Sequence, residues 1–175
     1  MKEIQETNQS VEVHTKKVVQ MDYLAQNFAK KLQSEVTRLQ LEDVFGELMH
    51  YRNIFLGKCP DGEVVSVEEF VDGEMVKYVN NDGIPCENNA DPMQKKAECL
   101  FHYTYQHSNE EVMLVDVQGV GYSLFDPEIV SSPLLNNQNE GTFTTGNLSR
   151  EAINNFIQRH TCNSFCKYLN LKKLE

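Results

Sequence analysis

Apolar residues recur every three or four positions along a segment near the start of the chain, from about His14 to Leu39. This spacing places them on one face of a helix, with polar residues on the rest of its surface. The apolar face consists of Val18, Met21, Ala25, Phe28, Leu32 and Val36. The pattern predicts one long amphipathic helix packed on a core.

The next segment has the short apolar runs and turn residues that are typical of strands. Residues Glu47 to Leu56 can form one strand, and "KCPDG", from Lys58 to Gly62, has the composition of a hairpin turn. "EVVSVEEFV" follows this turn directly. We therefore predict a two-stranded ribbon.

The stretch from Gly73 to Pro92 is rich in Gly, Asn, Asp and Pro, which is typical of a crossover between two lobes. Asp91 is a favourable N-cap for a helix that begins with Pro92. We predict that this helix continues to about His107.

A buried strand is predicted from Glu111 to Val117, because apolar residues there are nearly continuous. The residues from Asp126 to Gly146 are expected to be mostly loop. Ser149 is then expected to cap another helix, since apolar residues after it return to helical spacing.

Composition limits the class of protein. The chain has 175 residues, enough for one domain or two small lobes sharing a cleft, and its 40% hydrophobic and 24% charged residues are ordinary for a globular protein. A net charge of −10 argues against binding to duplex nucleic acid through its phosphates, but leaves a nucleotide ligand open.

Cysteine usage depends on the compartment. No apolar stretch approaches the ~20 residues that span a bilayer, and the polar N-terminus lacks the apolar core of a signal peptide. We therefore expect the cytoplasm, a reducing compartment. The cysteines are then interpreted as thiols or metal ligands, and they are Cys59, Cys86, Cys99, Cys162 and Cys166.

The C-terminal sequence "HTCNSFC" contains His160, Cys162 and Cys166. Four residues separate the cysteines, so they would share one face of a helix, with the histidine approaching from the preceding turn. A closed tetrahedral zinc site needs a fourth ligand, for which His102 and His107 are both candidates. Spacing alone leaves open the alternative of two buried cysteines and a surface histidine.

Polar residues end the predicted buried strand. Asp116 and Gln118 would project from the same face of an extended backbone, and Asp126 follows ten residues after the first acid. Carboxylate and amide oxygens are ligands that Mg²⁺ accepts beside phosphate oxygens, and a carboxylate can also accept a proton from a hydroxyl. The alternative is a turn-rich loop with solvated side chains.

The small-residue loop "GTFTTGNLSR", Gly141 to Arg150, leads into a helix and could bind an anion through its backbone amides, or could simply cap that helix. Lys2, Glu68 and Lys77 have no local feature that distinguishes them from solvated surface charges.

Five segments taken in order carry a resemblance to a known family. They are "VEEFVDGEMVKYVNNDG", "ECLFHYTY", "LVDVQGVGYSLFDPEIV", "FTTGNLSREAINNF" and "HTCNSFCKYLNL". These segments resemble, respectively, the hinge, the helix before the catalytic strand, the catalytic segment, the glycine-containing loop with the last helix, and the zinc tail of the alpha-kinases. Alpha-kinases are atypical serine/threonine protein kinases, so the resemblance implies an α+β, two-lobed kinase fold.

The resemblance implies a role for each candidate residue. Asp116 would position or deprotonate the substrate hydroxyl, while Gln118 and Asp126 would hold Mg²⁺ against the nucleotide phosphates. Lys2 would bind those phosphates across the cleft and belong to the catalytic set. Further nucleotide contacts would come from Glu68 at the hinge position that meets adenine, and from Lys77, Gly146 and Asn147.

The resemblance also selects His102 over His107, so that His102, His160, Cys162 and Cys166 would be the ligands of a structural Zn²⁺ in the C-lobe. A site closed by four protein ligands has no open position for catalysis.

Two departures from the family pattern bear on the organisation of the domain. The chain begins one residue before Lys2, which implies a truncated N-lobe of residues 1–72, followed by a C-lobe of residues 73–175. The family's small Gly-x-Gly/Ala-x-x-Gly loop corresponds here to Thr144 to Ser149, with its first and third glycines replaced.

The implied function is transfer of the ATP γ-phosphoryl group to serine or threonine hydroxyls of a protein substrate, with ATP, Mg²⁺ and Zn²⁺ as cofactors. Flanking domains in a longer parent chain are compatible with it. Two alternatives are an inactive pseudokinase that binds nucleotide or a partner, and a zinc-stabilised module that binds a partner without nucleotide.

Overall fold

A computed structural model describes residues 10–86, 91–131, 143 and 149–174. Within these ranges the fold combines helices and small sheets, which confirms the predicted α+β class. The helices are α1 (Val11–Arg38), α2 (Glu42–Phe45), α3 (Pro92–His107), α4 (Ser149–Arg159) and α5 (Ser164–Tyr168). The strands are β1 (His50–Tyr51), β2 (Ile54–Lys58), β3 (Val64–Glu68), β4 (Val76–Val79), β5 (Val112–Val115), β6 (Val117–Val120), β7 (Ser123–Leu124) and β8 (Glu128–Ser131).

The long helix predicted from the apolar spacing is α1, which begins three residues earlier than expected. Ser10 caps it, because its hydroxyl accepts a hydrogen bond from the backbone N–H of Val13 at 3.3 Å. The predicted apolar face is buried, with Val18 only half-buried. Three polar residues of this helix, Thr15, Asp22 and Gln26, are also buried.

The strands of the described ranges form three separate sheets. The largest has the order β1-β7-β6-β4, in which β1 is parallel to β7 and the other pairs are antiparallel. The predicted ribbon is the hairpin β2–β3, closed by the expected turn with Lys58 opposite Val64. The single strand predicted from Glu47 to Leu56 is instead divided between β1 and β2, which belong to different sheets.

The strand predicted from Glu111 to Val117 is also divided. It consists of β5, paired with β8, and β6, which lies in the four-stranded sheet. The chain changes sheets at Asp116, whose φ of 55° cannot continue a strand.

Two of the segments predicted as connections contain strands. The crossover from Gly73 to Pro92 includes β4, which pairs with β6 with a register shift after Lys77. The predicted loop from Asp126 to Gly146 begins with β8, where backbone pairing with β5 outweighs the weak local signal.

Helix α3 is the central helix of the fold and has the predicted bounds. Asp91 caps it by accepting a hydrogen bond from the N–H of Met93 at 2.9 Å, with Pro92 as its first residue. It packs on α1, α5, β4 and β5, so most of its length is buried. Lys96, one of its buried polar residues, donates a hydrogen bond from Nζ to the Glu47 carbonyl at 2.6 Å.

The C-terminal segment differs from the prediction that two cysteines share a helix. Cys162 precedes α5, whereas Cys166 lies inside it. Asn163 caps this short helix through the N–H groups of Phe165 and Cys166, and also donates to the Lys95 carbonyl of α3 at 2.8 Å. Helix α4 begins at Ser149, and the capping role of that residue stays a prediction. The predicted division into an N-lobe and a C-lobe after residue 72 also stays a prediction.

Gly83 provides a test of how the turn after β4 packs on α4. Its φ is +78°, and an added Cβ would lie 2.0 Å from the carbonyl oxygen of Ala152. We expect Gly83→Ala to lower the free energy of unfolding by at least ~3 kcal/mol, since backbone strain adds to a clash with backbone that must shift. Urea denaturation measures this.

The control for this prediction is Gly62→Ala. Gly62 also has a positive φ, +92°, but a Cβ there would meet nothing within 4 Å. It should cost only the strain of the left-handed backbone, about 1 to 2 kcal/mol. Equal losses in the two variants would show that the contact with Ala152 contributes nothing.

Candidate functional site

The break between β5 and β6 presents Asp116 at the edge of a buried region. Val115 and Val117 on either side are fully buried, and the Asp116 side chain is 12% exposed. A positive φ costs most residues about 1 to 2 kcal/mol, and Asp tolerates it better than most. The surrounding strand pairing therefore holds this carboxylate in a conformation that an isolated chain would rarely adopt.

Lys77 approaches Asp116 from the neighbouring strand. It lies opposite Gln118 in the β4–β6 register, and its Nζ forms an ion pair with Asp116 Oδ1. The lysine side chain is 37% exposed. It therefore contacts the carboxylate while part of its side chain stays accessible to solvent.

Gln118 lies between the two candidate carboxylates. Its Nε2 is 3.5 Å from Asp116 Oδ2 and 3.4 Å from Asp126 Oδ2, which are long, weak hydrogen bonds. The predicted reason for this proximity was wrong, because Asp116 is not extended. The residues converge because both acids have left-handed backbones, with φ of 55° and 51°, and because the Phe125 N–H donates to the Gln118 carbonyl at 3.3 Å.

Two buried groups near this site were missed by the sequence analysis. Burial raises the pKa of Asp22 to about 6, with repulsion from Glu68 and Asp126 adding to it and a hydrogen bond from Gln26 opposing it. Burial and the charges of Asp22, Asp116 and Asp126 raise the pKa of Tyr51 well above its usual value. Among the described residues, its buried hydroxyl has no hydrogen-bond partner.

The sequence contains at most a weak signal for these two buried groups. Asp22 lies four residues after Val18 and three before Ala25, so it falls on the apolar face of α1. A polar residue on a buried face is informative, but its neighbours come from β1 and other distant segments. Spacing along α1 could not identify them.

Only some of the other residues predicted to contact nucleotide lie within the described ranges. Glu68 ends β3 and is exposed, and its charge adds to the rise in the pKa of Asp22. Lys2, Gly146 and Asn147 lie outside the described residues.

A second cluster lies at the C-terminal end of the described chain. One ligand atom from each of His102, His160, Cys162 and Cys166 lies within 4.8 Å of the others. Cys162 Sγ is 3.7 Å from His102 Nδ1, and Cys166 Sγ is 3.5 Å from His160 Nε2. His107 is not in this cluster and instead stacks on Tyr103, with ring centroids 4.0 Å apart.

The chemistry of the cluster fits Zn²⁺. Two thiols and two imidazoles form a common structural zinc set, and His102 Nε2 is buried without a partner among the described residues. Hydrogen bonds from Cys99, His102 and His160 outweigh burial and hold the pKa of Cys166 at about 3. Burial opposes charge on His160, but hydrogen bonds with Cys166 and Glu98 raise its pKa to about 9.

Glu98 was a further residue missed by the sequence analysis. Its Oε2 lies 3.3 Å from His160 Nδ1, while the opposite ring nitrogen faces Cys166. A carboxylate on the outer nitrogen is the usual way to orient a metal-binding histidine. Gln94 Nε2 in turn donates to Glu98 Oε1 at 3.0 Å, which fixes the carboxylate.

Comparisons with known proteins identify the family of this chain. A model of the Alpha-kinase family matches residues 1–166. Myosin heavy chain kinase B of Dictyostelium discoideum is 28% identical over 89% of this chain, and human transient receptor potential cation channel subfamily M member 6 is 33% identical over 71% of it. The matches span 19% and 6% of those two proteins.

A solved structure gives the same result at the level of the fold. The alpha-kinase domain of myosin heavy chain kinase A, in complex with ADP, superposes with a TM-score of 0.75 at 25% identity. The match covers 93% of this chain and 61% of that one.

Among the described residues, no helix has the length and apolar character needed to cross a membrane.

The raised pKa of Asp22 gives a prediction about stability and pH. A carboxyl whose pKa is higher in the folded chain binds its proton more tightly there. Its contribution to the stability of the folded state is therefore full below about pH 3.8 and is lost as pH rises through about 6. At ~1.4 kcal/mol per pH unit, the ionised group costs the folded state up to ~3 kcal/mol at pH 8.

Asp22→Asn should therefore raise the free energy of unfolding at pH 8 by up to ~3 kcal/mol, and far less at pH 4.5. The amide oxygen can still accept the hydrogen bond that Gln26 Nε2 donates at 3.1 Å. Urea denaturation at the two pH values measures the difference, with the exposed acid variant Asp43→Asn as control. An equal change at both pH values would contradict the prediction.

Proposed function

The chain belongs to the alpha-kinase family, and on that premise we propose that it transfers the γ-phosphoryl group of ATP to serine or threonine hydroxyls of protein substrates. The observation that carries this proposal is the convergence of Asp116, Gln118, Asp126 and Lys77 at one edge of the central sheet. The chain spans about three fifths of the solved kinase chain and a small part of the curated relatives, so further domains in a longer parent are part of the proposal.

Asp116 is the proposed acceptor of the hydroxyl proton. Its carboxylate is held by strands on both sides and is nearly buried, so little reorganisation is needed when the substrate arrives. Phosphoryl transfer has a loose transition state, in which positioning of the hydroxyl and stabilisation of charge supply most of the catalysis.

Lys77 is the proposed cationic contact to the nucleotide. An ammonium group donates three hydrogen bonds, so Lys77 can keep its ion pair with Asp116 while it also contacts a phosphate oxygen. It would thereby hold the phosphate end of ATP next to the carboxylate that accepts the proton.

Gln118 and Asp126 would hold Mg²⁺, which neutralises phosphate charge when bound. The fit of these residues to Mg²⁺ rests on their proximity, since the Gln118 amide nitrogen lies between the carboxylates of Asp116 and Asp126. Rotation of the Gln118 amide would present its oxygen to a cation instead.

Further residues are proposed to contact the two ends of the nucleotide. Glu68 would meet the adenine at the hinge, while Lys2, Gly146 and Asn147 would contact the phosphate end. ADP in the solved myosin heavy chain kinase A domain supports a nucleotide in this cleft.

A cytoplasmic location is proposed as well, because ATP is abundant there and the five free cysteines would stay reduced.

The cluster of His102, His160, Cys162 and Cys166 is the proposed structural zinc centre. These residues come from α3, from the end of α4 and from the segment around α5. Zn²⁺ would link all three elements and supply folding energy, with no open position for substrate.

The kinase proposal is tested by phosphate incorporation from ATP into a basic test protein in the presence of Mg²⁺. Asp116→Asn is the informative variant, since Asn tolerates the left-handed backbone better than Ala does. Loss of the general base should lower the rate by about 10² to 10⁴-fold.

Glu110→Gln is the matched control for that assay. Glu110 is an exposed acid that also has a left-handed backbone, with φ of 65°, and it lies in the turn after α3. Its rate should equal that of the unchanged chain. Equal background incorporation in all three proteins would reject kinase activity and favour a pseudokinase or a binding module.

The zinc proposal is tested by metal analysis of the purified chain. We expect about one zinc per chain, and almost none in His102→Ala, because removal of one of four ligands opens the site. Chelation should also lower the melting temperature of the unchanged chain. Cys59→Ser, in the hairpin turn, should keep its zinc, and the proposal fails if the unchanged chain carries none.

A further inference from the structure

Lys96 is a buried lysine near the N-terminal end of α3, and only 8% of it is exposed. It lies beside a small gap that it lines together with apolar residues, among them Phe45, Leu48 and Leu100. An ammonium group in such surroundings costs free energy unless specific partners replace the water that it has lost. The partners of Lys96 therefore indicate what this charge does.

The partners of Lys96 come from three other parts of the fold. Its Nζ donates to the carbonyl of Glu47, between α2 and β1, at 2.6 Å. The same nitrogen lies 4.8 Å from the ring centroid of Tyr122 and 5.6 Å from that of Phe165. Both rings are within the ~6 Å over which a cation is attracted to an aromatic face. One ammonium group thus joins three segments to α3.

The contact with Tyr122 concerns the hairpin of the candidate site. Tyr122 lies in the turn between β6, which carries Gln118, and β7, which leads to Asp126. The backbone of this turn is held from β1, because the His50 N–H donates to the Tyr122 carbonyl at 3.0 Å. Lys96 holds the side chain of the same residue from α3. The turn is therefore fixed from two directions.

The energetics of a buried charge favour a role in position over a role in stability. Attraction to an aromatic face is stronger when water is excluded, but the cost of burying the charge offsets much of this gain. A methionine side chain could fill a similar volume without that cost. It would not link α3 to the turn through a directed contact.

We propose that Lys96 is a positioning residue, which through Tyr122 fixes the β6–β7 hairpin, and with it Gln118 and Asp126, against α3. The inference rests on the proposed function, in which Gln118 and Asp126 hold Mg²⁺. Phe165 belongs to α5, so the same ammonium group also links the C-terminal helix to this hairpin.

The first test measures amide hydrogen exchange in Lys96→Met and in the unchanged chain. Peptides covering residues 117–126 should exchange about 10-fold faster in the variant, since local opening of the hairpin becomes easier. The β2–β3 hairpin packs on α1 and should stay within about 2-fold of the unchanged chain. Lys95→Met is the matched control, the same substitution one residue earlier on α3, and should leave both hairpins unchanged.

The second test changes the aromatic partner, which is only half-buried and so is less critical for folding than Lys96. Tyr122→Leu removes the ring and should reproduce the faster exchange of residues 117–126. Tyr122→Phe keeps the ring and should behave like the unchanged chain. Lys96→Met combined with Tyr122→Leu should add little to either single change, because both remove one interaction.

The third readout is phosphate transfer. Lys96→Met should lower kcat about 10-fold, because small displacements of positioning groups are costly in the transition state. The KM for ATP should change less than about 3-fold, as expected when ground-state binding is largely kept. A residue that only stabilises the fold would lower the melting temperature and leave kcat unchanged.

Three results would overturn the inference. Equal exchange of residues 117–126 in Lys96→Met and the unchanged chain would show that the hairpin does not depend on this lysine. Equal acceleration of both hairpins would indicate a general loss of stability. Fully additive effects in the combined variant would show that Lys96 and Tyr122 act independently. Absence of transfer in the unchanged chain would reject the proposed function, whereas the exchange measurements would still decide whether Lys96 positions the hairpin.

Discussion

The left-handed backbone at Asp116 is the constraint on which the rest of the cleft depends. The chain enters it from β5, which is paired with β8, and leaves it as β6, which is paired with β4 and β7. Both flanking valines are fully buried, so the turn cannot relax without disrupting two sheets. The same change of direction brings Gln118 opposite Lys77 and lets the chain return to Asp126. One residue therefore determines both the position of the carboxylate and the identity of its neighbours.

Helix α3 connects this cleft to the proposed zinc centre. One of its faces packs on β5, the strand that ends at Asp116, and another packs on α5, which carries Cys166. Asn163 adds a direct link, since it caps α5 and donates to a carbonyl of α3. A metal bound by His102 and Cys166 would restrain α3 and hence the strand beneath it. Because packed elements resist small displacements, the metal would affect the rigidity of the proposed catalytic carboxylate without contacting it.

Local signals predicted α1 and α3 well, because helical spacing and the Asp91 cap are properties of neighbouring residues. The break at Asp116 could not be predicted in this way, since the valine-rich run favours one continuous strand and only the competing partners β8 and β4 divide it. The position of Cys162 outside α5 has a similar origin, because Asn163 is a better helix cap than an interior residue. The family resemblance singled out the acids and the four His and Cys residues, and the structure brings the members of each set close together. Asp22 and Glu98 were missed because their importance comes from partners distant in sequence.

The charge of the cleft explains why cations would be essential to the proposed reaction. Four acids contribute negative charge to one region, namely Asp22, Glu68, Asp116 and Asp126. Burial of Asp22, together with repulsion from the neighbouring acids, raises its pKa. Lys77 offsets part of this charge through its ion pair with Asp116. Nucleotide phosphates would add further negative charge, so they would enter this cleft favourably only with Mg²⁺. Bound cations would also lower the free energy of the ionised Asp22. Ligand binding in the cleft would therefore stabilise the fold beyond the contacts that the ligand itself makes.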